Sequence, residues 1–121
     1  MQVVCVIDDD PAIRKGVANL LRSAGYQPVC FESGASFLAS PWRAQAACVL
    51  LDLNMPGLHG TDVQRALRGQ GAAPPVICMS AQASQARVEE ILALGATGFL
   101  AKPFTAEALL DAISNSCTGL P

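Results

Sequence analysis

Aromatic side chains are scarce in this chain: Phe, Tyr and Trp together make up 5% of its 121 residues. Stacked rings therefore cannot build the interior, which must be filled by Ala, Val, Leu and Ile. Lysine is scarcer still, with only Lys15 and Lys102, and the arginines Arg14, Arg22, Arg43, Arg65, Arg68 and Arg87 are dispersed. Backbone binding to nucleic acid needs a clustered basic face, so direct contact of this domain with DNA or RNA is not expected. Net charge is −2, with no long run of one sign. The apolar stretches fall far short of the about 20 residues of a membrane span. The chain enters a strand-like run at once, so no signal peptide and no membrane association are expected. No GxGxxG follows the first apolar run, which removes dinucleotide binding. The cysteines Cys5, Cys30, Cys48, Cys78 and Cys117 are odd in number and lack CxxC spacing. They read as reduced thiols, mostly buried in strand-like runs and behaving as small hydrophobes. A reducing cytoplasm is the expected compartment.

Hydrophobic residues are abundant, at 51%, enough for a substantial core in a single domain. Strand-like and helix-like segments alternate five times. Val3–Ile7 is a continuous β-branched run, as in a strand buried on both faces. Asp10 reads as an N-cap with Pro11 at the first helical position. Ile13, Val17, Leu20, Leu21 and Ala24 repeat at helical spacing, and Gly25 ends that helix. Residues 28–31 form a short second strand, and Ser33 caps a short helix holding Phe37 and Leu38 that Pro41 stops. Residues 48–52 form the third strand, followed by a tight loop around Met55-Pro56-Gly57. A helix from about Thr61 to Arg68 follows, then a loop over 69–75 and a fourth strand over 76–80. Ser84 caps a helix with Val88, Ile91 and Leu92 on one face and Gly95 as its stop. Residues 98–102 form a fifth strand, and Thr105 caps a last helix with Leu109, Leu110 and Ile113 inward. The stretch 114–121 is polar and contains Gly and Pro, so it reads as a domain end or the start of a linker. Such alternation predicts a parallel sheet with right-handed crossovers and helices on both faces.

Asp8, Asp9, Asp52, Ser80 and Lys102 all fall at predicted strand C-termini. Those termini share one edge in a parallel sheet, and that edge is where open α/β sheets bind ligands. Asp52 reads either as an ordinary polar residue where strand meets loop or as an oxygen nucleophile for phosphoryl transfer. The nucleophile needs a cation to offset repulsion between two anions. Asp8 and Asp9 repel each other unless a cation sits between them or solvent screens them. Magnesium takes octahedral oxygen ligands, often one or two carboxylates with water and phosphate oxygens. Asp10 reads as a helix cap only. Lys102, at the end of a buried strand, needs a partner such as phosphate or Asp52, and Pro103 directly after it stiffens its mounting. Ser80 is either a turn residue or a donor to a phosphoryl oxygen. Phe99, alone, reads as core. His59 sits in a Gly-flanked loop and reads as exposed and non-catalytic.

Four ordered motifs, VCVIDDD (Val4–Asp10), LLDLNMPGLHG (Leu50–Gly60), ICMSA (Ile77–Ala81) and GATGFLAKPF (Gly95–Phe104), resemble the receiver domain of bacterial two-component response regulators. The likeness covers about residues 2–117. It implies a receiver domain over 1–117, with 118–121 as tail or start of a linker. The implied fold is flavodoxin-like, α/β: a doubly wound five-stranded parallel sheet of order 2-1-3-4-5 with five helices. By the same resemblance Asp52 is the phospho-acceptor. Asp9 is a direct ligand of Mg²⁺ (or Mn²⁺), Asp8 binds it through water, and the Asn54 carbonyl completes the set of protein ligands. Lys102 pairs with the phosphate, Ser80 is the switch hydroxyl and Phe99 the aromatic switch position. Ser80 replaces the family's more frequent Thr, and Phe99 lacks the hydroxyl of the frequent Tyr, so coupling through it rests on packing. The implied partner is a sensor histidine kinase or phosphotransfer protein. A phosphorylation-linked homodimer is a further expectation. The Phe variant, with ESGASFLAS at Glu32–Ser40, resembles the subgroup that joins a receiver to a helix-turn-helix output for transcription regulation.

Two other readings are weaker. A haloacid-dehalogenase-like phosphatase resembles a DxD motif with the second Asp as general acid. Asn54 holds that position here, and an amide delivers no proton. A non-phosphorylated interaction module of the same fold usually lacks an acid or the lysine, and this chain has them all.

Overall fold

The structure is a computed structural model that describes residues 2–54, 60–69, 73–81 and 84–117. The elements run β1 (Val3–Ile7), α1 (Pro11–Ser23), β2 (Gln27–Phe31), α2 (Gly34–Leu38), α3 (Trp42–Gln45), β3 (Cys48–Asp52), α4 (Gly60–Arg68), β4 (Val76–Ser80), α5 (Gln85–Ala93), β5 (Gly98–Ala101) and α6 (Ala106–Cys117). Every pairing is parallel, in the order β2-β1-β3-β4-β5. The alternation of segments predicts the parallel pairing, and the order is that of the flavodoxin-like sheet the resemblance implies.

Side-chain alternation along the strands builds two cores. Cys5, Ile7, Val49, Leu51, Val76 and Cys78 pack under Phe37 of α2, Val63 and Leu67 of α4, and Ile91 of α5. Val4, Val6, Leu50, Ile77, Met79 and Leu100 pack under Val17 and Leu21 of α1 and Leu109 and Ile113 of α6. The central strands β3 and β4 are buried along their whole length, which is why they read as unbroken apolar runs.

Helix ends follow local chemistry. Asp10 accepts from Ala12 N at 2.9 Å, Ser33 from Ser36 N at 3.1 Å, Ser84 from Arg87 N at 3.2 Å and Thr105 from Ala108 N at 3.0 Å. Gly25 (φ 90°) and Gly95 (φ 102°) follow α1 and α5 in the left-handed region that favours glycine.

Several expectations need correction. Among the described residues there are six helices, not five. Pro41 stops α2 but also opens α3 as its N-cap, with φ −67°. Proline is tolerated at a helix start because its missing N–H would have no intrahelical partner there. Helix α6 continues to Cys117, so 114–117 are not tail; Ser116 Oγ lies 3.2 Å from Thr97 Oγ1. Leu92 is 45% exposed, whereas Ile91 is fully buried; the rotation of α5 centres on Ile91 and carries its successor outward. Ala24 is also exposed. Cys30 is exposed because β2 is an edge strand, while Cys5, Cys48 and Cys78 are buried. Burial pushes the Cys5 and Cys78 thiols up to about 12. His59, the Met55-Pro56-Gly57 loop and the tail 118–121 lie outside the described residues.

Candidate functional site

Register brings the strand ends together. Ile7 pairs with Leu51, so the next residues, Asp8 and Asp52, emerge side by side from β1 and β3. Ser80 pairs with Ala101, which places Lys102 one step past the end of β5. The Lys102 N–H then donates to the Ser80 carbonyl at 2.9 Å. The Lys102–Pro103 peptide is cis.

Asp8 is fully buried. Its Oδ2 lies 2.8 Å from Lys102 Nζ, and its Oδ1 accepts from Asp10 N at 2.9 Å. Asp52, 3% exposed, accepts from Asn54 N through Oδ1 at 3.0 Å. The same Oδ1 is 3.5 Å from Lys102 Nζ. One ammonium therefore bridges two buried carboxylates that would otherwise face each other uncompensated. Burial raises the Asp52 carboxyl above its ordinary range, and Asp8 and Asp9 push the same way against the Asn54 N–H and Lys102. Burial pulls the Lys102 ammonium down, but its hydrogen bond to Asp8 and the Asp52 and Asp8 charges outweigh that and hold it above its usual value.

Asp9 is exposed at the mouth. Carboxylate oxygens of Asp8, Asp9 and Asp52 all lie within 4.8 Å of one another. A set of hard oxygen donors at that spacing fits a divalent cation of the Mg²⁺ or Mn²⁺ kind, and the cluster could hold one.

The structure brings Asp8, Asp9, Asp52, Asn54, Ser80 and Lys102 to one rim. Phe99 sits apart, opposite Cys78 within the sheet and packed against the core under α4 and α5. Asp10 is the helix cap it was read as. Two participants were not anticipated. Arg14 Nη1 donates to the Asp8 carbonyl at 2.7 Å, fixing the acidic turn from α1. Asn54 Nδ2 donates to Ser80 Oγ at 3.0 Å, so the Asn54 side chain, and not only its carbonyl, belongs to the site. The only advance signal for either was the donor inventory of Arg and Asn close to the acidic motifs.

Residues 4–114 match the family model of the response regulator receiver domain. The chain belongs to that family. Receiver domains are signalling switches of two-component systems rather than classical enzymes, and the family implies a histidine kinase or other phosphodonor as partner. The chain is 37% identical over 111 residues to the response regulator protein TodT of Pseudomonas putida, covering 92% of this chain and 49% of that protein. It is 36% identical over 113 residues to the transcriptional regulatory protein FixJ of Azorhizobium caulinodans, covering 93% and 54%. This receiver domain thus spans about half the length of these relatives. The chemotaxis response regulator CheY4 of Vibrio cholerae superposes with TM-score 0.88 at 32% identity, covering 96% of this chain and 98% of that one. No helix among the described residues is long and apolar enough to cross a membrane.

Proposed function

We propose that this receiver domain takes a phosphoryl group from a phosphohistidine, on a sensor histidine kinase or phosphotransfer protein, onto Asp52. The supporting observation is the geometry around that carboxylate. It is 3% exposed, bridged to Asp8 by Lys102, and has the carboxylates of Asp8 and Asp9 within 4.8 Å. Asp52 Oδ1 is held by the Asn54 N–H and lies near Lys102, which leaves Oδ2 to attack phosphorus in line. The bond from phosphorus to the histidine nitrogen breaks, its electron pair returns to the ring, and the oxygen–phosphorus bond forms.

Asp9, Asp52, the Asn54 carbonyl and, through water, Asp8 would hold Mg²⁺ or Mn²⁺. When bound, the cation supplies charge neutralisation for the crowded oxygens. Lys102 pairs with the added phosphoryl charge. Ser80 leaves Asn54 Nδ2 and donates to a phosphoryl oxygen, drawing the start of the following loop with it, and Phe99 fills the vacated space. The surface made by α5, β5 and α6 changes shape. This is a two-state element biased by a local charge change. A shift from about 1:99 to 99:1 needs roughly 5.5 kcal/mol of differential stabilisation. A few charge-assisted hydrogen bonds at about 1.5–3 kcal/mol each supply it.

Turnover of the product is confined to slow autodephosphorylation. The receiver occupies residues 1–117 and works in the cytoplasm. It controls transcription through a helix-turn-helix output outside this chain and touches no nucleic acid itself; phosphorylation favours a homodimer. Intact mass after incubation with acetyl phosphate and Mg²⁺ tests the chemistry. One phosphoryl group is expected on the natural chain and none on Asp52→Asn. Full Mg²⁺-dependent labelling of Asp52→Asn would refute the assignment.

A further inference from the structure

At the opposite rim of the sheet, a cavity of about 430 Å³ opens between the last turns of α4 (Gln64, Leu67, Arg68), Pro74 and Pro75 ahead of β4, and Leu94 after α5. That volume lies within the range of about 300–1,000 Å³ typical of small-molecule sites. The walls are mostly apolar, and one buried polar group stands among them. Gln64 is 3% exposed, and its Nε2 donates to the Ile91 carbonyl at 3.4 Å. Its Oε1 is buried with no hydrogen-bond partner among the described residues.

The amide cannot be turned to cure this. Exchanging oxygen and nitrogen would set Oε1 against the Ile91 carbonyl, acceptor to acceptor. Unpaired buried acceptors are rare in folded proteins because each carries its full desolvation cost. Arg68 donates to the Ala93 carbonyl at 3.4 Å and is the only charged residue among the described lining residues. Among the described residues the cavity thus lacks one donor and offers no cation that is not already turned to a carbonyl.

We propose that it binds a small, neutral, largely apolar organic molecule carrying one hydroxyl or N–H donor, directed at Gln64 Oε1. The amide oxygen is itself buried, so the donor reaches it by a parting of the side chains around it. Such a ligand would bridge α4 to the turn that feeds β5, giving the domain a second input remote from its carboxylates.

Cyclohexanol and its O-methyl ether, which differ in the donor, probe the site on the natural chain by amide chemical-shift titration. Shifts are expected around residues 64–68, 73–76 and 94–97. The ether should bind about tenfold more weakly than the alcohol. In Gln64→Leu the two should bind alike. Equal affinity of alcohol and ether for the natural chain, or no localised shifts up to the solubility limit of the alcohol, would overturn the proposal. Should Gln64→Leu not fold, the alcohol-to-ether ratio on the natural chain decides alone.

Discussion

The two rims of one sheet solve the same problem in opposite ways. Among the described residues the buried polar side chains are Asp8, Asp52, Ser80 and Gln64. The first three stand at the C-terminal rim, where strands converge, and each finds a partner there: Lys102 bridges the two acids, and Asn54 reaches Ser80. Gln64 stands at the N-terminal rim and is half-satisfied. Parallel register stacks chain ends from different strands at both rims, but only one receives groups of opposite character. A buried charge is tolerated where neighbouring strands deliver its counterpart. A buried amide that is not so served marks a place where something else can bind.

The sharpest way to break this contrast is to remove the shared cation. Lys102→Met leaves fully buried Asp8 without its 2.8 Å partner. It should lower unfolding stability by about 3 kcal/mol, at the low end for a broken buried pair, because Lys102 keeps 20% side-chain exposure. Urea unfolding at neutral pH measures it. The natural chain has a matching alkaline signature. Because the Lys102 ammonium is held above its ordinary 10.5, its stabilisation is complete below that pH and fades as pH rises through the folded value. Lys102→Met should lose that alkaline dependence.

Arg14→Met removes the bond to the Asp8 carbonyl and should cost about 1.5 kcal/mol, as for a charge-assisted hydrogen bond. Calorimetric Mg²⁺ titration should show weaker binding as well, since the acidic turn loses its brace.

Gln64→Leu should go the other way and raise stability by about 1 kcal/mol. Loss of a long 3.4 Å bond is outweighed by removal of an unpaired buried acceptor. A clear destabilisation would mean that the amide is better served than its surroundings indicate.

Asp52→Asn should also stabilise, by a smaller margin. The raised Asp52 carboxyl means that the folded chain holds that proton more tightly than the unfolded one. Stability therefore falls as pH climbs from 3.8 through the folded value. In Asp52→Asn, acid-to-neutral unfolding scans should lose this step. Last, Leu92→Gln on the exposed face of α5 should leave stability within about 0.5 kcal/mol of the natural chain.

Much of the C-terminal rim was legible before any coordinates, for a physical reason. The strands β1, β3 and β4 are buried on both faces, so each is an unbroken apolar run whose end is visible as the first polar residue: Asp8, Asp52, Ser80. Parallel order then aligns those ends without further information. Cys30 was misread because its run looks like the others; whether a strand lies at the edge is decided by neighbours far off in sequence. Helix α3 escaped notice because a one-turn helix leaves too few residues for a period. Leu92 was ambiguous because residues three and four apart both satisfy helical spacing, and only packing against the sheet picks Ile91. The Asn54–Ser80 bond joins residues 26 positions apart, and the Arg14 contact depends on how α1 departs from its strand. Neither leaves a mark in local pattern. The burial of Gln64 and its reach to the Ile91 carbonyl of α5, 27 positions on, leave no such mark either.

The backbone bond from Lys102 to Ser80 has a mechanical result. Two groups proposed to grip the same phosphoryl oxygens, one by charge and one by hydroxyl, are riveted together through their main chains. Displacing the serine tugs on the lysine's anchorage, so the grip tightens or loosens as a single jaw.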